Sequence, residues 1–190
     1  MNKNLEKFDK LVNALEQLPT IGRKSALRLA YHMVTKDSFN ALRLSHAIED
    51  AISSIKRCSK CGSMSEDELC YICCDESRHN GILCIVESAK DILLFEENAL
   101  FEGLYFVLEN LDDLHVNMLI EKVKNEKIKE IIFALTPSIQ NDAIILYIED
   151  KLKNFDITFS KIAQGVPTGV SLENIDIISL SKALKDRVKV

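Results

Sequence analysis

No stretch of this 190-residue chain approaches the roughly 20 uninterrupted apolar residues that span a bilayer, so a membrane-crossing helix is not expected. The first ten residues, Met1 to Lys10, lack the apolar core of a signal peptide, and the expected compartment is therefore the cytoplasm. In that reducing setting the six cysteines call for a role other than disulfides. No internal repeat or low-complexity tract interrupts the chain. The Gly165-Val166-Pro167-Thr168-Gly169 stretch has no Gly-Lys-Ser/Thr ending with which to cradle phosphates, and reads as an ordinary turn. No Ser/His/Asp or Cys/His arrangement is legible, so nucleophilic catalysis finds no support.

What is present is unevenly spread. Hydrophobic residues make up 47% of the chain, enough for a proper core in one domain or several small modules. Net charge is −5, but residues 1–60 carry 11 Lys+Arg against 6 Asp+Glu, whereas residues 61–190 carry 13 against 23. A basic front on an acidic body suits a phosphate-binding module attached to a protein-interaction domain; a merely soluble body would look the same.

Three textures follow one another. From Leu5 to Ile55 apolar residues recur at helical spacing. One stripe holds Leu11, Leu15 and Leu18, and a second Leu27, Ala30, Tyr31 and Val34. The third holds Leu42, Ala47, Ile48, Ala51, Ile52 and Ile55, with Pro19 and Gly22 marking a tight turn between the first two. From Arg57 to Gly81 the chain is polar and cysteine-rich, too poor in apolar residues to fold without a staple. Beyond Gly81 short apolar runs alternate with helical segments. Strands are predicted at 82–86, 104–108, 128–135 and 157–163, and helices at 89–100, near 117–124, and at 141–153. Ile92, Leu93, Phe95 and Leu100 are expected to point inward from the first of these helices. Such alternation predicts a parallel sheet with helices on both faces.

Cys58-x-x-Cys61 and Cys70-x-x-Cys73 are separated by eight residues. Each C-x-x-C turn delivers two thiolates to one side of an ion, so the two pairs together supply the four soft ligands of a structural zinc site. Gly62 provides backbone freedom after the first pair. Cys74 adjoins Cys73 and competes with it for the fourth position, Cys84 belongs to a strand, and His79 is a substitute ligand or a surface histidine. Four thiolates leave no open coordination position, which disfavours catalysis by the metal.

Leu18 to Ala26 joins two helices through a basic turn. The start of the second helix can aim backbone N–H groups at a phosphate, and Arg23, Lys24 and Arg28 place positive charge around that point. Contacts of this kind hold DNA without reading its sequence.

The order of these features carries a resemblance. The turn reads L-P-x-[IV]-G-x-K-S-A-x-R from Leu18 to Arg28 and is followed by the four cysteines. Next come Cys84-Ile85-Val86-Glu87-Ser88-Ala89-Lys90-Asp91 and Ile162-Ala163-Gln164-Gly165-Val166-Pro167-Thr168-Gly169, then a last segment from Leu180 to Arg187. Across nearly its whole length the chain resembles the RecR family of bacterial recombination mediators. The resemblance implies an α/β protein with small modules. These are a helix-hairpin-helix over 1–55, a C4 zinc finger over 56–80, a Toprim-type parallel α/β domain over 81–168, and a C-terminal oligomerisation tail over 169–190. It further implies one structural Zn2+ per chain and a ring-forming homo-oligomer, generally a tetramer. Such a ring clamps DNA and acts with RecO and RecF to help load the recombinase at gaps. Lys24 and Arg28 match positions expected to face DNA, while Arg23 rests on charge alone.

Several positions depart from the family. Thr20 stands where the hairpin usually has Gly, Glu109 to His115 is shorter and more acidic than usual, and Thr136 to Asp142 lacks a customary Glu. Catalytic Toprim enzymes hold magnesium with a Glu and an Asp-x-Asp pair. Glu87 fits the first, but Asp-x-Asp occurs nowhere in the chain. Glu87 and Asp91 remain a candidate vestigial metal or partner site; alternatively Glu87 caps the next helix or pairs with Lys90. A non-enzymatic scaffold is the primary expectation, a Mg-dependent nuclease or primase-like enzyme the alternative, and a protein-binding zinc adaptor a third class.

Overall fold

Two alanines set the packing of the first helices. In the computed structural model, which describes residues 5–163, 166 and 169–185, α1 (Glu6–Glu16) meets α2 (Arg23–Thr35) with Val12, Ala26 and Ala30 fully buried between them. Small side chains on α2 let the two helices approach closely, and Phe8, Leu11, Leu15 and Ile21 pack around this contact. α3 (Ser38–Ser54) is capped by Asp37, whose carboxylate accepts the Asn40 N–H at 3.3 Å. The apolar stripes are used only in part: Ala30 is buried, and Leu11 and Leu15 pack against the same core. Leu18, Leu27, Tyr31 and Val34 are exposed, and α3 buries no residue at all, with Ile52 77% exposed. This first unit ends at Ile55, and so short a segment has too little interior for three apolar stripes.

The second unit begins at Lys56. β1 (Lys56–Arg57) pairs antiparallel with β2 (Met64–Ser65), and a single helical turn, α4 (Tyr71–Cys74), follows. The remainder is the α/β body. β3 (Ile82–Val86), β4 (Leu104–Val107), β5 (Glu130–Ala134) and β6 (Thr158–Lys161) form one parallel sheet in the order β4-β3-β5-β6. Leu83 to Val86 and all of β4 are buried residue after residue, as strands covered on both faces must be. The connections carry α5 (Ala89–Glu97), α6 (Asp113–Asn125) and α7 (Ile139–Leu152). α8 (Ile177–Lys185) lies towards the C-terminus.

Two readings change. α6 starts four residues before the expected Asn117, because Asp112 accepts the His115 N–H at 2.8 Å and caps it; the acidic stretch is thus partly a helix start. From α5 only Ile92 is buried and Phe95 partly so. Leu93 is exposed, and so is Leu100, because the helix stops at Glu97. The turn at 165–169, apart from Val166 and Gly169, falls outside the described residues, as does the end of the 180–187 segment.

Candidate zinc centre and nucleic-acid interface

The first knuckle is a turn in which Gly62 N–H donates to Cys58 C=O at 2.9 Å and Cys58 N–H to Ser63 C=O at 2.7 Å. Gly62 has φ +77°, which favours glycine, and a Cβ there would come within 3.1 Å of the Val107 side chain and press it aside. The second knuckle is helical, with Cys70 at the N-cap of α4 and Cys73 within it. The module is seated on the sheet by Val107 N–H, which donates to Cys61 C=O at 2.8 Å.

These turns bring the sulfurs of Cys58, Cys61, Cys70 and Cys73 to within 4.8 Å of one another, with Cys61 and Cys70 at 3.5 Å. A tetrahedral ion with Zn–S bonds of about 2.3 Å needs sulfurs about 3.8 Å apart, so the donor set fits zinc. Without a cation the crowded thiols must share protons unequally. Hydrogen bonds from Cys61, Cys70 and Cys73 hold Cys58 far below the ordinary thiol range, while hydrogen bonding to Cys58, Cys70 and Cys73 pushes Cys61 far above it. A divalent ion relieves this by taking all four as thiolates.

Of the two adjacent cysteines it is Cys73 whose sulfur joins the other three, and it is buried, whereas Cys74 is exposed. His79 is not part of the set: its Nδ1 lies 2.6 Å from Glu126. Cys84 is buried in β3, and burial pushes its thiol up to about 12. In zinc-loaded protein, iodoacetamide should therefore label Cys74 readily and Cys84 hardly at all, as mapped by mass spectrometry. Faster labelling of Cys73 than of Cys74 would reverse the ligand assignment.

Sequence reasoning missed a clamp beside this module. Arg78 donates to both carboxylate oxygens of Glu96, at 2.9 and 2.7 Å, and to the carbonyls of Phe101 and Gly103. Glu96 also accepts from the hydroxyls of Tyr105 at 2.7 Å and Tyr71 at 3.2 Å. The Arg78 hydrogen bonds hold the Glu96 carboxyl below its usual range. Nothing in the local sequence marks these partners, which are scattered from Tyr71 to Tyr105 in the chain.

Glu87 neither caps α5 nor pairs with Lys90. Its carboxylate accepts from Thr136 N–H at 2.8 Å, Thr136 Oγ1 at 3.0 Å and Asn141 Nδ2 at 2.6 Å, tying the end of β3 to the start of α7. The stretch from Thr136 to Asn141 thus offers Glu87 neutral donors. Asp91 accepts from Ser88 N–H at 2.9 Å and Ser88 Oγ at 3.0 Å, within the capping box that starts α5. Among the described residues, only the four cysteines converge as a group of metal ligands.

In the first unit the turn Leu18–Ile21 is closed by Ile21 N–H donating to Leu18 C=O at 3.2 Å. Pro19 stands second and Thr20, with φ +68°, third: the pattern of a type II turn, whose third position favours glycine. The departure at Thr20 is therefore backbone strain. Thr20→Gly should raise the stability of the hairpin by about 0.5–1 kcal/mol, the relief being partly offset by glycine's freer unfolded chain. A thermal melt that falls instead of rising would show that Thr20 carries a compensating contact.

Gly22 is the extended N-cap of α2, leaving the first amides of the helix without intrahelical acceptors. Lys24 and Arg28 lie one turn apart and exposed, and neither forms an ion pair among the described residues. Arg23 differs: its guanidinium donates to Asn13 at 2.5 Å and Glu16 at 3.0 Å, fastening α2 to α1. His32 and Lys36 continue the four-residue spacing of Lys24 and Arg28, and with Arg28 line a groove of about 840 Å3. That spacing was readable in the sequence.

A helical hairpin with a basic helix start, a four-cysteine zinc centre and a parallel α/β sheet define a modular zinc-bearing α/β protein. Residues 8–52 match the family model described as RecR, helix-hairpin-helix, and residues 55–75 match the model of the RecR zinc finger domain with four cysteine ligands. Over the full length of both chains, the protein is 59% identical to a Recombination protein RecR of Nitratiruptor sp. and 53% to one of Campylobacter jejuni. It is 47% identical to one of Helicobacter pylori, over 98% of this chain and 96% of that one. The chain belongs to the RecR family.

Proposed function

We propose that this chain is a non-enzymatic DNA-binding scaffold of recombinational repair, acting in the cytoplasm. It clamps or encircles DNA as a homo-oligomer, a tetramer by family expectation, and works with RecO and RecF to help load the recombinase at gaps. The observation that carries the reading is the start of α2, where open amides lie beside exposed Lys24 and Arg28, neither ion-paired among the described residues. Arg23 joins them only through its charge, since its guanidinium is engaged with α1.

The relatives' name supports the recombination role. Exposed apolar side chains on α2 and α3, Tyr31, Phe39, Leu42 and Ile52 among them, support assembly. Internal donors already occupy the carboxylates of Glu87 and Asp91, so neither serves as a magnesium site in this reading. Light scattering of the zinc-loaded chain, with and without gapped duplex, tests the proposal. Oligomer formation and binding that steepens with protein concentration are expected. A monomer that binds at full strength would contradict the clamp. Cleavage or strand synthesis with magnesium would favour the enzyme instead, and no shift of DNA at any salt concentration would favour the adaptor.

A further inference from the structure

Four thiolates around one zinc ion carry two net negative charges, and here they are buried. A buried charge needs donors or a counter-charge. Two of the sulfurs find backbone N–H donors, Cys58 from Cys70 at 3.3 Å and Cys61 from Ser63 at 3.5 Å. The sulfur of Cys73 is met differently. Lys122, on α6, is 5% exposed, and its Nζ donates to Cys73 Sγ at 3.7 Å.

A lysine this deep is costly, and an amphipathic helix would ordinarily place an apolar residue there. Its neighbours do not give it a dedicated acid. Glu126, one turn further on, already accepts from Lys60 at 3.2 Å and lies 2.6 Å from His79 Nδ1. Glu126 feels the Lys122 charge at longer range, and the group that the ammonium reaches directly is the Cys73 sulfur.

We infer that Lys122 is a positioning residue of the zinc centre: its buried ammonium offsets the thiolate charge, holds Cys73 as a ligand and makes that sulfur a poorer nucleophile. Outer-shell partners of metal ligands commonly change metal affinity by about 10–100-fold when removed. The inference rests on the zinc assignment and is independent of DNA binding.

The test uses the full chain with Lys122→Met, which keeps the apolar stem, and Lys122→Arg, which keeps the charge. Cobalt-substituted protein reports on the sulfurs directly. In Lys122→Met the sulfur-to-cobalt charge-transfer band should move to longer wavelength while the d–d bands keep their tetrahedral pattern; Lys122→Arg should match the parent. Zinc transfer to a chromophoric chelator should be about tenfold faster in Lys122→Met. Iodoacetamide should modify Cys73 several-fold faster there, with Cys58 little changed.

Where Lys122→Met does not fold, Lys122→Gln, which retains a donor and loses only the charge, carries the same expectations. If neither neutral variant takes up cobalt but Lys122→Arg does, the charge requirement holds in its strongest form. An unchanged band and unchanged Cys73 labelling in the neutral variant overturn the inference, as does an arginine variant as impaired as the neutral ones. Loss of cobalt binding in parent protein would instead overturn the zinc assignment.

Discussion

Replacing Cys58 or Cys70 with serine is expected to lower zinc from about one ion per chain to almost none and to unfold the segment between β1 and α4. The reason lies in what else could hold that segment. Its buried residues are the four cysteines themselves with Ile72 and Ser63, so little apolar area supports it once the metal is gone. Apparent zinc binding to small four-ligand modules is worth about 10 kcal/mol or more, comparable to the whole stability of a typical domain. The damage should travel to the sheet, because Cys61 C=O accepts from Val107 N–H and Gly62 packs on the Val107 side chain. It should not reach the helical hairpin, whose core of Val12, Ala26 and Ala30 is its own. Elemental analysis and hydrogen exchange read both effects. Cys84→Ala serves as the control: it removes a buried thiol from β3, costs roughly 1 kcal/mol of packing, and leaves zinc bound. Full zinc occupancy in the Cys58 and Cys70 variants would sink the assignment.

The zinc ligands were legible because the two turns that present them are local, and local geometry writes itself into spacing. Lys122 was not legible. It lies 49 positions from Cys73, on a helix where Lys reads as a solvated charge, and only the packing of α6 against the zinc module reveals its use. The same holds for Arg78, whose carboxylate partner is 18 residues away. Strand order was readable as alternation but not as the sequence β4-β3-β5-β6, which depends on where each crossover returns. Apolar periodicity gave helices before Ile55, and of its α2 stripe only Ala30 is buried. The large members Leu27, Tyr31 and Val34 stay exposed, while close approach to α1 selected Ala30 and Ala26, the latter outside the stripe. Glu87 shows the opposite limit. Its place at the end of β3 was right, but its partners, Thr136 and Asn141, come from an element that no local motif ties to it.

Replacing Lys24 and Arg28 together with alanine is expected to weaken DNA binding roughly tenfold or more at moderate salt, and by the same factor for every sequence. Both side chains are exposed, both stand within the first two turns of α2, and neither pairs with an acid among the described residues, so their charge is available to a phosphate. Removing one phosphate interaction should flatten the dependence of log affinity on log salt by about one unit, and removing the pair by about two. An oligomer presents several hairpins to one DNA, so the weakening per chain multiplies, and the effect should be larger under conditions that favour assembly. Fold and metal should not change. Ala26 and Ala30, not Lys24 and Arg28, make the helix contact, and the zinc ligands lie in the other unit. Arg23→Ala makes a useful contrast: it removes the hydrogen bonds to Asn13 and Glu16, and should lower the thermal stability of the hairpin more than it lowers the salt slope. A titration of the double variant from low to high salt, against fluorescent gapped duplex, decides the matter. Binding that overlays the parent curve throughout would make the hairpin structural, and the basic balance of residues 1–60 only a solvated surface.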